Sequence, residues 1–292
     1  MNVSIGVLAY NEEQNIEIVI NSLLKQKTFS VNIREIIIVS SGSNDKTNEI
    51  VEKISDKNKK VRLIKENKRR GKSHAINLFL KKAKSKILVL ESADTIPSST
   101  TIEKLCSKFK DSNIGIVGSR VIPKKNKNKI MNFTVQLQWI LHHEISKDNP
   151  KFGELIAFRK IMKNIPLTAV DEEEIASVIK NKNFKTIYEP KAIVHNKGPE
   201  TVKDFFRQRR RIYCGHLQLK KKMNYEASSL NTFKVLKKFI KLKQVRKNIF
   251  LSIIAVMLEC FGRLLGLVDY YTNKNHVVWK VSESTKKLRW KF

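Results

Sequence analysis

Several short polar segments of the sequence carry side chains that could act on a charged substrate. Asp94 comes directly after an apolar run, and carboxylate oxygens are the ligands that Mg²⁺ and Mn²⁺ prefer. Lys72 follows a glycine at the start of a helical pattern, where its ammonium group could meet a phosphate or simply face solvent. The acidic run at residues 171–174 could supply a general base, or it could be a helix start that the helix dipole favours. The elements that position these residues decide between the alternatives.

The first 118 residues alternate between strand and helix patterns. Runs of strand length, apolar or β-branched, lie at residues 3–9, 35–39, 61–64, 87–90 and 114–117. Asn11 and Gln14 have the spacing of a capping box for the first helix. The alternation predicts an α/β fold with a mostly parallel sheet covered by flanking helices. Ligands bind at the carboxyl ends of such strands, so the loops after the first, second and fourth strands are the candidate site.

Four segments in these loops resemble the motifs of the family 2 glycosyltransferases of GT-A (Rossmann-like) fold. Residues 9–13 read A-Y-N-E-E, residues 40–45 S-S-G-S-N-D, residues 71–77 G-K-S-H-A-I-N, and residues 91–97 E-S-A-D-T-I-P. Three further segments resemble later motifs of that family: G-E-L-I-A-F-R at 153–159, D-E-E-E at 171–174 and Q-R-R-R-I at 208–212. All seven stand in the family's order over about residues 1–215, so the sequence is identified as a member.

The resemblance implies a nucleotide-sugar donor, with a UDP- or GDP-linked sugar expected, and transfer with inversion. It assigns donor binding to one set of residues: Ala9, Tyr10, Glu12, Ser41, Lys72, Ser92 and Asp94. Asp94 is also the expected ligand of Mg²⁺ or Mn²⁺, because a cation would offset the charge of the departing diphosphate.

The later motifs imply the catalytic half of the site. Glu172 falls at the position of the general base, with Asp171 as the alternative. Gln208, Arg210 and Arg211 are expected to face the donor diphosphate or an acceptor phosphate, or else to form a solvated or lipid-facing basic surface.

Several positions depart from the family pattern. Ser40 and Ser41 stand where the family usually has two acids, one of which reads the nucleobase, and Ser92 replaces the first acid of the fourth motif. Ile212 replaces the last motif's Trp. A catalytically weak homologue that binds a partner is therefore an alternative to an active transferase.

The amino-acid composition argues against several other classes of protein. The 292 residues include 58 Lys plus Arg and 27 Asp plus Glu, a net charge of +31. A basic nucleic-acid-binding protein would explain this charge but not the ordered acidic motifs, so we do not expect nucleic acid as a partner. The three cysteines are far apart and odd in number, which argues against a disulfide scaffold or a structural zinc site.

A membrane surface is the partner that the C-terminal third favours. Between Lys203 and Lys247 there are 15 basic and two acidic residues, followed by the apolar stretch 249–268. That stretch could span the bilayer, lie in its plane or be a core helix, and its Glu259 and Arg263 could pair at i, i+4. No signal peptide pattern precedes Val3, so the catalytic domain is expected on the cytoplasmic side of the cell membrane.

These observations predict four parts. Residues 1–215 form the GT-A domain, with a nucleotide-sugar half at 1–118 and an acceptor and catalytic half at 119–215. Residues 216–248 form a basic connector, 249–271 a membrane-associated or transmembrane helix, and 272–292 a basic tail. The expected acceptor is a lipid-linked sugar, a glycan or another hydroxyl compound.

Overall fold

The chain forms one eight-stranded sheet covered by helices, in a computed structural model that describes residues 1–280 and Lys286. The strands are β1 Asn2–Ala9, β2 Asn32–Ser41, β3 Val61–Glu66, β4 Ile87–Ser92, β5 Thr95–Pro97, β6 Ile114–Pro123, β7 Ile156–Arg159 and β8 Lys185–Asn196. The helices are α1 Ile16–Leu24, α2 Thr47–Lys57, α3 Lys72–Lys82, α4 Thr101–Cys106, α5 Lys129–Ser146, α6 Asp171–Asn181, α7 Val202–Met223, α8 Thr232–Phe239, α9 Lys243–Lys247 and α10 Ile249–Tyr271.

The sheet is mixed but mostly parallel. Its strand order is β3-β2-β1-β4-β7-β6-β8-β5. The five strands predicted from the sequence all run in one direction, and β8 pairs in parallel with β6. The short strand β7 lies antiparallel between β4 and β6, and β5 pairs antiparallel with β8. The predicted α/β architecture is therefore confirmed, with two reversed strands that the alternation did not reveal.

Helices on the two faces bury the sheet because their apolar residues recur at helical spacing. Val19, Ile20 and Leu23 of α1 belong to one core cluster, while Ile76 and Phe79 of α3 belong to the other. Burying each such side chain stabilises the fold by about 1.5–3 kcal/mol. The double cover explains why β1, β2 and β4 read as continuous apolar runs.

The start of α1 differs from the predicted capping box. The helix begins at Ile16, and Asn11 lies before it with a left-handed φ of 53°. The Asn11 amide group donates to Asn44 Oδ1 at 2.7 Å, and the Asn11 backbone N–H donates to Ser43 Oγ. Asn11 therefore joins the first and second motif loops instead of capping the helix.

The C-terminal third packs onto the catalytic half through α7 and α10. Helix α7 continues eight residues past the predicted boundary at 215. Helix α10 lies along it, and a Cβ added at Gly262 would stand 2.7 Å from the Cβ of Arg209. The predicted pair Glu259 and Arg263 is present at 2.8 Å.

By length and composition, α10 is the one described helix that could cross a membrane. One of its faces is covered by α7 and α5, and the other carries exposed apolar residues at helical spacing: Ile249, Phe250, Ile253, Val256, Met257, Phe261, Leu264, Val268 and Tyr271. The predicted basic tail 272–292 lies outside the described residues at 281–285 and 287–292.

Candidate active site

A cavity of about 560 Å³ opens at the carboxyl ends of β1, β2 and β4, where the parallel topology was expected to place a ligand. We call it the donor cavity. All ten residues assigned to donor or diphosphate binding line it: Ala9, Tyr10, Glu12, Ser41, Lys72, Ser92, Asp94, Gln208, Arg210 and Arg211. The fold thus brings together loops that are up to 200 residues apart in the sequence.

Three carboxylates converge in this cavity: Glu12, Asp94 and Glu154. Burial, with a smaller contribution from the charge of Asp94, raises the pKa of Glu12 to about 7 and that of Glu154 to about 7. Glu154 also has a left-handed φ of 60°, a conformation that costs a non-glycine residue about 1–3 kcal/mol. The charge of Asp94 therefore opposes the ionisation of Glu12 and Glu154, and a bound cation would relieve this repulsion.

Glu154 is a candidate site residue that sequence reasoning did not single out. It lies in the fifth motif, but only the tertiary fold brings its side chain beside Asp94. Glu91, the first residue of the fourth motif, lies fully buried and accepts a hydrogen bond from Thr95 Oγ1 at 2.7 Å. Burial raises the pKa of Glu91 well above its ordinary value, which disfavours the ionised form that a metal ligand needs.

The donor set fits a cation that is shared with a diphosphate. Among the described residues, no three His, Cys, Asp or Glu side chains are placed to hold a metal by themselves. Mg²⁺ is commonly held by only one or two carboxylates together with phosphate oxygens, and Asp94 and Glu154 supply that number. The buried Ser41 Oγ has no hydrogen-bond partner within residues 1–280 and could serve a donor group.

The candidate bases lie at the start of α6 and line a second cavity of about 560 Å³. Glu172 accepts a hydrogen bond from Lys72 Nζ at 2.5 Å, and Lys72 also donates to Ser92 Oγ at 3.2 Å. Burial opposes the ionisation of Glu172, but Lys72 outweighs it and holds the pKa of Glu172 below its ordinary value. Lys72 thus contacts the predicted base rather than facing solvent.

Asp171 differs from its neighbour although both begin the same helix. It is 1% exposed, and burial raises its pKa to about 7 despite the charge of Lys72. Its Oδ1 has no hydrogen-bond partner in the described part of the chain. Glu172 is the more open of the two, since Asp171 is almost wholly enclosed.

The arginines of α7 have different contacts: Arg210 pairs with another helix, whereas Arg211 lines both cavities. Arg210 forms a two-point pair with Asp269 of α10, at 2.6 and 2.5 Å, so its charge is already matched. Arg211 donates to Ala169 O at 2.6 Å, and its guanidinium lies 4.1 Å from the centre of the Trp279 ring. Arg211 and Gln208 line both cavities, which places them where donor and acceptor would meet.

Residues 273–280 together with Lys286, here called the C-terminal strap, close one side of the donor cavity. The Lys286 ammonium group bonds to Glu12 Oε1 at 2.5 Å and also to the carbonyl oxygen of Tyr10. The backbone carbonyl oxygen of Trp279 accepts a hydrogen bond from the Arg69 guanidinium at 2.7 Å. The sequence offered no signal for this arrangement, because Lys286 is one lysine among many in a basic tail.

Comparisons with known proteins identify related sequences. The sequence model described as "Glycosyl transferase family 2" matches residues 4–168. The poly-beta-1,6-N-acetyl-D-glucosamine synthase of Staphylococcus aureus is 27% identical over 216 residues, which are 68% of this chain and 51% of that protein. The glycosyltransferase AglE of Haloferax volcanii is 27% identical over 119 residues, 41% of this chain and 39% of that protein. The chain therefore spans only about 39–51% of these curated relatives.

Solved structures share the fold. The mannosyltransferase PcManGT of Pyrobaculum calidifontis, in complex with GDP-Man and Mn²⁺, has a TM-score of 0.70 and 19% identity, covering 94% of this chain and 88% of that one. TarS 1-349 of S. aureus, in complex with UDP-GlcNAc, has a TM-score of 0.51 and 15% identity, covering 94% and 93%.

Proposed function

This chain belongs to glycosyl transferase family 2 and is a glycosyltransferase, and on that premise we propose the details of its reaction. The donor is a UDP- or GDP-linked sugar, the acceptor is a hydroxyl group of a lipid-linked sugar or a glycan, and the sugar carbon is inverted. The observation that carries the proposal is the convergence of Glu12, Asp94 and Glu154 with Lys72 at the strand ends. The nucleotide sugars bound by PcManGT and TarS support the donor class.

In the proposed reaction the chain's own residues hold the donor and move one proton. Asp94 and Glu154 would hold Mg²⁺ or Mn²⁺, which supplies positive charge to the departing diphosphate. Glu172, kept ionised by Lys72, accepts the acceptor's hydroxyl proton while that oxygen bonds to the sugar carbon. The bond to the nucleoside diphosphate breaks on the opposite side, and the diphosphate leaves with the electron pair.

Calorimetry with UDP- and GDP-sugars in the presence of Mn²⁺ tests the donor site. We expect Asp94→Ala to remove metal-dependent binding, because it deletes a proposed metal ligand whose charge acts on both Glu12 and Glu154. Asp56→Ala, an exposed carboxylate of α2, is the matched control and should bind like the parent. Undiminished binding by the Asp94 variant would refute the assignment.

We also propose that the protein works at the cytoplasmic face of the cell membrane. The exposed apolar face of α10 supports this, as do the seven basic and no acidic residues at 232–247. A lysine-rich flank beside an apolar face is the pattern of helices that lie in the interface of anionic membranes.

A further inference from the structure

The cavity that is lined by the candidate bases Asp171 and Glu172 differs from the donor cavity in position and in lining. It lies between α5, α7, α8 and α10, and it meets the donor cavity at Lys72, Glu154 and Arg211. A group that enters it from outside can therefore reach the donor cavity at these shared residues. We call it the acceptor cavity.

The outer part of the acceptor cavity is apolar. Leu137 and Ile145 of α5 and Phe239 of α8 contribute to its wall. Leu236 and Val256 line the cavity and are also 55% and 41% exposed, so the cavity reaches the surface between α8 and α10. That opening lies within the exposed apolar and lysine-rich surface of these two helices. An apolar chain could enter here directly from a membrane.

The inner part carries buried positive charge. Lys151, Arg209 and Arg263 line it, and the nearest firm carboxylate is Glu259, 2.8 Å from Arg263 and 3.8 Å from Arg209. Arg209 is nine-tenths buried, and its Nε has no hydrogen-bond partner among residues 1–280. Burial and the charge of Arg209 lower the pKa of Lys151 to about 8.

A further carboxylate of the cavity, Glu173, does not offset the positive charge of Lys151, Arg209 and Arg263. Burial raises the pKa of Glu173 to about 7, and Glu173 already accepts a hydrogen bond from Tyr225 Oη at 2.8 Å. Among the described residues, Glu259 is thus the one carboxylate within ion-pair distance of Arg209 and Arg263, and Lys151 has none, in a buried setting where unmatched charge is costly. An anionic group of the ligand would offset it.

Resting on the proposed function, we propose that the acceptor cavity binds a single-chain lipid-linked acceptor through an anionic linker. The apolar chain leaves between α8 and α10, a phosphate or diphosphate lies at Lys151 and Arg209, and the acceptor hydroxyl reaches Glu172. The order of these groups along the cavity is the order of groups in a phosphate-linked glycolipid. A free glycan would leave both the apolar wall and the buried cations unmatched.

Cys260 offers a direct probe, because it lines the cavity and is exposed while Cys106 and Cys214 are buried. The full chain in neutral detergent is treated with N-ethylmaleimide in the presence of farnesyl phosphate, farnesol or inorganic phosphate. We expect farnesyl phosphate alone to slow alkylation of Cys260 by about tenfold or more. Equal protection by farnesol, or no protection by farnesyl phosphate, would overturn the proposal.

Two variants separate the anionic contact from the apolar one. Lys151→Gln should weaken farnesyl phosphate binding by roughly tenfold or more, because it removes a hydrogen bond to a charged group, whose loss lowers affinity by about that factor. Val256→Trp should block the mouth with a similar loss, whereas Leu264→Trp, exposed on the same helix but outside the cavity, should bind like the parent. Parental protection in both cavity variants would refute the site.

Donor binding is measured on the same samples by calorimetry with Mn²⁺ and the nucleotide sugars. Parental donor binding by Val256→Trp, together with lost protection, supports the acceptor site. Donor binding without any protection by farnesyl phosphate would defeat this inference and leave the donor assignment intact. Failure of donor binding in the parent protein would instead defeat the proposed function.

Discussion

At the scale of single residues, the carboxylates of the site differ in protonation although all belong to acidic motifs. Lys72 holds Glu172 ionised, whereas burial keeps Asp171, Glu12 and Glu154 near their titration points at neutral pH. Neighbouring groups of one chemical type are thereby suited to separate tasks.

The first prediction concerns the base. Glu172→Gln should preserve donor affinity and lower turnover by roughly 10² to 10⁴, the usual share of general acid–base catalysis. Asp171→Asn should lower turnover less, because Asp171 is enclosed and carries a raised pKa. Transfer assays with a phosphate-linked acceptor check this, and calorimetry checks the donor. Parental turnover in both variants would mean that residues 171–174 are only a helix start.

The second prediction concerns pH. Glu12 and Glu154 have folded-state pKa values of about 7, above the ordinary 4.5. Their contribution to stability is therefore full below pH 4.5 and is lost as the pH rises through 7. Metal binding needs Glu154 ionised, so the affinity for Mn²⁺ with donor should rise from pH 6 to pH 8 with release of protons.

Calorimetry at pH 6.5 in buffers of different ionisation enthalpy counts the released protons. Glu154→Gln should release fewer protons than the parent, and Asp56→Ala should release the same number. Proton release that is equal in the parent and in Glu154→Gln would contradict the assignment of a raised pKa to Glu154.

At the scale of elements, α10 combines two faces with different partners. The small residues Gly262 and Gly266 let it approach α7 closely, since a Cβ at Gly266 would stand 2.7 Å from the carbonyl oxygen of Arg210. The opposite face remains open and apolar. Removing the whole helix would uncover α7, so substitutions on the open face test membrane binding more cleanly.

The third prediction follows from that open face. The combined variant Phe250→Glu, Met257→Glu and Leu264→Glu should reduce sedimentation with phosphatidylglycerol vesicles by about 100-fold or more, because three large side chains lose their burial. Phe29→Glu, at an even more exposed phenylalanine in the α1–β2 loop, should sediment like the parent. An unchanged Tm in the combined variant would show that the fold is intact, and unchanged sedimentation would exclude the face as the anchor.

The elements that were predicted correctly are those whose own residues carry a clear apolar run or hydrophobic periodicity. Strands β1, β2 and β4 are long apolar runs because both of their faces are covered. Strand β7 has only four residues, and β8 contains a proline and charged residues, so neither shows a clear period. The ten cavity-lining residues were predictable through ordered motifs. The proximity of Glu154 to Asp94 and the contacts of Lys286 depend on tertiary packing and leave no mark in the local sequence.

At the scale of the whole molecule, the first motif and the C-terminal strap meet at the donor cavity. Lys286 contacts Glu12 and Tyr10, and Trp279 stacks on Arg211. His276 bonds to Asp269, the residue that also pairs with Arg210. The strap therefore connects the first motif, the last motif and the end of α10.

The fourth prediction concerns the strap. Lys286→Ala should raise donor affinity by roughly two- to fivefold, the range of a partly exposed ion pair, because it frees Glu12. Lys221→Ala, an exposed lysine of α7, is the control for lost charge. Calorimetry measures both. Weaker donor binding by Lys286→Ala would show that Lys286 holds the donor instead of competing with it.

The contact between Lys286 and Glu12 also has a kinetic consequence. A donor that contacts Glu12 has to displace Lys286 in each cycle, and the return of Lys286 after transfer is then a step in its own right. Segment motions of this kind often limit turnover in place of bond breaking. The steady-state rate would then fall less than the rate of the chemical step when a catalytic residue is replaced. The loss caused by Glu172→Gln should accordingly be larger in single-turnover measurements than at steady state, and the two should agree once Lys286 is replaced by alanine.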